Sequence, residues 1–399
     1  MGAAGQGATP LNNLGEVFRE TFIEDSAVNS WTRAIRLPDG CTHILPSLNL
    51  AIVYIESLQL EAASSAISSF ESCFAQYPLK NGEEHKALSH IIRGRIALYR
   101  GNIDKAIEHF QKSIELQQWF GKIGINIEDL LAGIYQNLHL ALMAKAAHLK
   151  KQASNGLTEK FSNWTSRLKY HLKGRWYARK ARRLLTEKLN DFEDIFVRHT
   201  DSLLDYPVLG SLIGDFPTVV AERLIEKIQQ KDAREPARLY YQSYLAENYL
   251  NNGSKKLAEP ILKTIISNQR SDFDAALRLH ASSIYLRELS PKDSAYMTLS
   301  NQVFETLPSA ILNYDLKLVV NYQNIPKSLR KKLKNTALRL NNSTKAQYLL
   351  QYTAENEKHQ LQLYDQINDI SLHTASVRKQ DGEFYQLVND FQKKIFIIK

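Results

Sequence analysis

The sequence predicts an all-α fold built as a solenoid of helical hairpins. Three observations carry that reading. From about Leu11 to the C-terminus, apolar residues recur three and four apart between short polar turns, with hardly any stretch of period two. Glycine and proline are scarce, 17 and 11 among 399 residues, while 44% of the chain is hydrophobic and 23% charged. That balance suits a folded, helix-rich chain rather than a disordered one. Small residues also stand at matching offsets in neighbouring helices, which lets antiparallel helices cross closely.

Taken in order, the N-terminus MGAAGQGATPLNN lacks a basic n-region and an apolar core, so residues 1–10 are expected to be a flexible leader rather than a secretory signal. Gln6 stands where a myristoylation signal would carry a hydroxyl residue. Helices are expected near 12–24, 47–60, 62–77, 83–100, 103–118, 127–152, 160–190, 217–231, 233–251, 254–268, 272–289, 292–306, 309–322, 327–340, 344–371 and 381–397. The run 203–217 holds two Pro, two Gly and many apolar residues. It reads as an ordered connection between an N-terminal half, 11–202, and a C-terminal half, 218–399. Asp215 and Pro217 suit the start of the helix that follows. No apolar run approaches the roughly 20 residues of a spanning helix, so no membrane span is expected.

The hairpin reading rests on local offsets. Gly94 lies on one expected helix, Gly101 ends it, and Ala106 and Phe110 follow on the next. Gly94 and Ala106 are small where the helices cross, Gly101 supplies a left-handed turn, and Phe110 fills the space beside the crossing. A second copy reads Leu245-Ala246-x-x-Tyr249, then Gly253, then Ala258-x-x-x-Leu262. Weaker copies are Ala66-x-x-x-Phe70 with Pro78, and Ala295-x-x-x-Leu299 with Pro308. These residues resemble the tetratricopeptide repeat, whose signature runs Leu-Gly-x-x-Tyr, Ala-x-x-x-Phe, Pro over about 34 residues. Arg93 and His90 depart from the Leu and Trp usual there, and no Pro follows Ile114. Matches cover about 47–118 and 238–307.

The resemblance implies a tetratricopeptide-like α–α superhelix that presents the first helix of each pair to a partner peptide or helix. The groove positions would be Ile91, Arg95, Tyr99, Tyr240, Tyr244, Glu247 and Asn251. The Lys/Asn clamp with which one subgroup grips a terminal carboxylate is replaced here by Ile91 and Arg95, or by Ser243 and Glu247.

Charge is concentrated. The chain carries a net +9, yet between Lys145 and Lys188 thirteen Lys and Arg stand against Glu159 and Glu187. The stretch 164–185 places Arg167, Lys169, Lys173, Arg175, Arg179, Lys180, Arg182 and Arg183 among Trp164, Tyr170, Trp176 and Tyr177. On a helix, Arg175, Arg179, Arg182 and Arg183 share an arc facing away from Tyr177, Ala181 and Leu184, with Gly174 a candidate kink. Such a stripe suits an acidic peptide, a phosphorylated partner or a nucleic-acid backbone. A second basic run, 327–340, has Leu329, Leu333, Thr336 and Leu340 at amphipathic-helix spacing.

Recognisable catalytic chemistry is missing: no HExxH, GxxxxGK(S/T), GxGxxG or GxSxG occurs, and His85 and His90 are five apart. Neither enzyme activity, cofactor nor metal ion is expected. Cys41 and Cys73 lack ligand spacing, suggest no disulfide framework, and read as small buried or half-buried side chains in a reducing, cytoplasmic compartment. The expectation is a protein-interaction scaffold, with a nucleic-acid-binding protein using the basic helix as the alternative.

Overall fold

The computed structural model describes residues 7–21, 23–43, 45–77, 83–116, 127–152, 157–186, 216–231, 235–268, 274–341, 346–355, 358–378 and 383–397. Sixteen α-helices and five strands occur among them. They fall into two compact units, the first drawn from 1–97, 105–138 and 176–281, the second from 98–104, 139–175 and 282–399. Of the expected connection at 203–217, residues 203–215 lie outside the described residues.

The first unit is helical. It contains α1 (Ala8–Glu20), α2 (Glu24–Arg36), α3 (Leu45–Glu56), α4 (Leu60–Gln76), most of α5 (Glu83–Tyr99) and α6 (Ile103–Glu115), and parts of α7 (Ile127–Lys151) and α8 (Leu157–Thr186). It continues through α9 (Thr218–Lys231), α10 (Glu235–Asn251), α11 (Lys255–Ser267) and the start of α12 (Ala275–Glu288). Helix α1 begins inside the stretch read as a leader, with Ala8 buried. Helix α1 stands where one helix was expected near 12–24, and α2 lies where none was expected. In α2, Ala27, Trp31 and Ala34 recur four and three apart and are buried. Its Glu24 and Asp25 at the start and Arg33 and Arg36 at the end oppose the helix dipole.

Successive helices pair as hairpins. A Cβ on Gly94 would meet the Phe110 ring at 2.4–2.8 Å, so α5 and α6 cross at a distance that only glycine permits. Ala106, Ala246 and Ala258 are fully buried. The turns after α5 and α10 are made by Gly101 and Gly253, each at φ +78°, a conformation that penalises any Cβ.

The cysteines overturn the sequence reading. Cys41, in a short 3-10 turn (Gly40–Thr42), is disulfide-bonded to Cys73 on α4, across 32 residues of sequence. Closing a loop of that length removes unfolded-state entropy worth about 3–4 kcal/mol. The expectation of a reducing compartment rested on the lack of a disulfide framework and loses that support.

The second unit corrects the all-α expectation. After α13 (Ser294–Thr306) and the short α14 (Ser309–Asn313) come β1 (Leu318–Gln323), α15 (Lys327–Leu333), β2 (Leu338–Asn341), β3 (Tyr348–Glu355), β4 (Lys358–Asp365), β5 (Ile370–Arg378) and α16 (Glu383–Phe396). The strands form one sheet in the order β2-β1-β3-β4-β5. β1 is parallel to β2 and β3, whereas β3, β4 and β5 form an antiparallel meander. A helical solenoid therefore does not continue to the C-terminus. The helix expected at 344–371 is instead two strands and part of a third, and the one expected at 327–340 stops at Leu333. Of the positions taken for its apolar face, Leu329, Leu333 and Thr336 are buried, but Leu340 lies on β2.

The inward residues of β4 are His359, Leu361, Leu363 and Asp365, alternating with Gln360, Gln362 and Tyr364. This is the period of two that a half-covered sheet requires. Asp365 accepts from the backbone N–H of Ile367 at 2.9 Å and of Asn368 at 3.3 Å, fixing the turn into β5. α16 packs on β4 and β5, with Leu387, Val388, Phe391, Ile395 and Phe396 buried. Its Gln392 receives the N–H of Ala337 at 3.1 Å and donates to the Lys151 carbonyl at 3.2 Å. Lys151 is itself buried, paired with Asp315 at 2.8 Å and bonded to the Leu316 carbonyl at 3.0 Å.

Replacing Gly94 by Val forces two branched carbons into the Phe110 ring. Chemical denaturation is expected to show a loss of about 2 kcal/mol through overpacking.

Candidate partner-binding surface

The hairpin of α10 with α11 sits in the first unit. Tyr241 and Tyr244 are buried against Ala221, Leu224 and Ile225 of α9. Asn248 is buried and donates to the Phe216 carbonyl at 2.8 Å, while the Tyr249 hydroxyl donates to Glu222 at 2.7 Å. Burial and that carboxylate push the Tyr249 hydroxyl up to about 12, so it stays a donor. These bonds fix α10 against its neighbours.

Along the same helix, Tyr240 is half-buried and packs against that apolar cluster, Glu247 is half-buried and Asn251 exposed, whereas Tyr244 between them is covered. Glu247 reaches His280 of α12 at 3.9 Å. That contact links α10 to α12, and Tyr240, Glu247, His280 and Asn251 place an aromatic ring, a carboxylate, an imidazole and an amide on or near this part of the first unit's surface.

The other expected groove positions lie elsewhere. Ile91 and Arg95 are 1% and 6% exposed, so in this structure they are interior. Tyr99 belongs to the second unit, half-buried, its carbonyl accepting a short hydrogen bond from the Ser309 hydroxyl.

Arg95 enters a buried polar cluster that sequence reasoning missed. Its Nε donates to Asn137 Oδ1 at 3.3 Å, and Arg19 pairs with Glu56 at 2.9 Å. Burial pushes the Glu56 carboxyl up to about 7, against the pull of Arg19 and Arg95 and helped by Glu24 and Asp274. The signal available in the sequence was a single carboxylate ending the apolar run AIVYIE. A carboxyl that holds its proton near neutrality is a polar interior group rather than a docking surface.

The basic residues all fall on α8, which runs unbroken through Gly174. Lys169, Lys173 and Arg175 are exposed and Arg167 half-buried in the second unit. Arg179, Lys180 and Arg183 are exposed and Arg182 half-buried in the first. Ala181 is buried and Tyr177 and Leu184 half-buried. Lys180 Nζ lies 4.5 Å from the Trp176 ring centre and 4.9 Å from that of Tyr135, so its charge is held by two aromatic faces.

The second unit has a polar cleft of about 500 Å³ that includes Asn301, Glu305, Gln347 and Gln366. Its amides and acids bond one another: Asn301 donates to Gln347 at 3.1 Å, and Gln347 and Tyr348 donate to Glu305 at 2.8 and 3.0 Å. Among the described residues no group of three or more His, Cys, Asp or Glu is placed to hold a metal ion, and no helix is long and apolar enough to cross a membrane.

Comparison of the sequence with protein-family models and with curated proteins finds no match.

The Glu56 carboxyl carries a pH signature. Its folded value of about 7 lies above the ordinary 4.5, so the folded chain binds more protons across that window and this group's stabilising contribution is lost as pH rises through it. Thermal unfolding of wild type and Glu56→Gln is expected to diverge in favour of the Gln variant between those pH values, with little further change above them.

Proposed function

We propose that the chain is a protein-interaction scaffold of tetratricopeptide-like hairpins, holding a peptide or helix of a partner protein along Tyr240, Glu247, His280 and Asn251. The observation that supports this reading is the Glu247–His280 contact. In the proposed register it joins the first helices of two successive hairpins, the elements that form the binding face in repeats of this kind. A half-open tyrosine at one end of that strip supplies rigid contact area at small entropic cost, and the flanking carboxylate, imidazole and amide set orientation.

Site-specific photo-crosslinking in the native host tests it. A benzophenone side chain at Tyr240 is expected to capture a protein partner that the same group at Leu257, 52% exposed on α11, does not. Equal capture at both positions, or none at Tyr240, would exclude this surface.

A second reading is nucleic-acid binding by α8, favoured by the exposed Arg175, Arg179 and Arg183 with a single acidic residue, Glu159, on that helix. Its signature is affinity for RNA or DNA that falls steeply with salt as counterions are released, and that is abolished when Arg175, Arg179, Arg182 and Arg183 become Glu.

A further inference from the structure

The first part of α8, residues 157–175, turns its apolar residues away from the unit it belongs to. Leu157, Phe161, Trp164, Leu168 and Leu172 are 84, 67, 53, 44 and 59% exposed. They recur four, three, four and four apart, so at about 100° per residue they share an arc of roughly 80°. The side that packs is nearly opposite: Asn163, Ser166 and Tyr170 are half-buried, and buried Gly174 lies against Leu142 and His139 of α7. An ordinary helix of a globular unit has the reverse arrangement, apolar side in and polar side out.

Cations border the stripe on both sides. Lys160 and Arg167 run along one edge and Lys169 along the other, exposed Arg175 stands at the C-terminal end of the stripe, and Glu159 is the one acidic residue of the segment. Phe161 and Trp164 stack at 5.9 Å, forming a single aromatic ridge.

We propose that residues 157–175 of α8 lie flat on an anionic lipid surface, with Leu157, Phe161, Trp164, Leu168 and Leu172 in the headgroup–acyl boundary and the flanking Lys and Arg on lipid phosphates or carboxylates. Charge complementarity selects this occupant. Cations on both edges of a convex apolar ridge are what a negatively charged plane meets, and their long stems let the charges reach sideways to the headgroups while the ridge sinks. The Trp164 indole has an apolar body and a polar N–H, which suits that depth. A nucleic-acid backbone would satisfy the cations but leave three leucines against water. The segment binds in the plane of the interface and crosses nothing, in keeping with its length and charge.

The test uses the full chain and vesicles of phosphatidylcholine alone or mixed with phosphatidylserine, read by co-sedimentation. Partition into mixed vesicles is expected to exceed that into neutral ones by about tenfold or more. Trp164→Ser with Leu168→Ser is expected to lower it by about tenfold with circular dichroism and unfolding midpoint unchanged, because both side chains are already exposed. Lys160→Gln, Arg167→Gln and Lys169→Gln together are expected to abolish the preference for the anionic lipid. The proposal is overturned by no partition into mixed vesicles, or by partition that the Ser variant leaves intact. It is equally overturned by RNA or DNA that binds the segment and displaces the vesicles, or by a dimer of the chain that the Ser variant dissolves. None of these outcomes touches the Tyr240 surface, so the scaffold reading stands or falls separately.

Discussion

The closeness of paired helices is the constraint on which the first unit depends. At the α5–α6 crossing there is no room for a Cβ at Gly94, because the Phe110 ring already occupies that place. The same requirement explains why Ala246 and Ala258 are fully buried on α10 and α11. Once two helices approach this nearly, their connecting turn must reverse within a few residues, and Gly101 and Gly253 supply the left-handed backbone that does so. A hairpin so formed still has an apolar side to cover, and α10 buries Tyr241 and Tyr244 against α9, the helix before it. Glu247 of α10 also lies 3.9 Å from His280 of α12.

What the sequence disclosed follows from this. Helices with a sustained three-and-four period, and turns that need glycine, are local properties, and most of the helices up to Thr306 lie near where the pattern puts them. The C-terminal strands were hidden because their apolar residues are few and fall at spacings both periods accommodate. Tyr348, Leu350 and Tyr352 alternate, yet Leu349 between them breaks the alternation, and Leu329, Leu333, Thr336 and Leu340 mimic a helical stripe across a helix, a turn and a strand. The Gln-Leu-Gln-Leu of β4 was the clearest period-two signal in the chain, and it is four residues long. The disulfide was illegible because two cysteines 32 residues apart pair only if the fold brings their Cα atoms to 5.0 Å.

The surface was read less completely than the fold. The repeat register named positions on first helices without saying which of them later elements would cover, so Ile91, Arg95 and Tyr244 proved interior while Tyr240, Glu247 and Asn251 kept some access. Burial also gave Arg95 another task, beside Asn137 and opposite Glu56, where it offsets part of the desolvation of that carboxyl. Cation counting located α8 but not its exposed apolar ridge. Which side of a helix faces out depends on what packs against it, and α8 is unusual in packing with Asn163, Ser166, Tyr170 and Gly174.

Gln392 bridges groups from three distant parts of the chain, the Lys151 carbonyl on α7 and the Ala337 amide before β2 both meeting one amide on α16. During synthesis, the Lys151 carbonyl at the end of α7 therefore waits for more than two hundred further residues before its donor exists, a separation of 241 in sequence. Contacts of such long range make assembly of this unit slow and leave its early helices dependent on late ones. Removal of the final helix would accordingly unsettle residues near Lys151 while leaving intact the hairpins whose partners are their immediate neighbours.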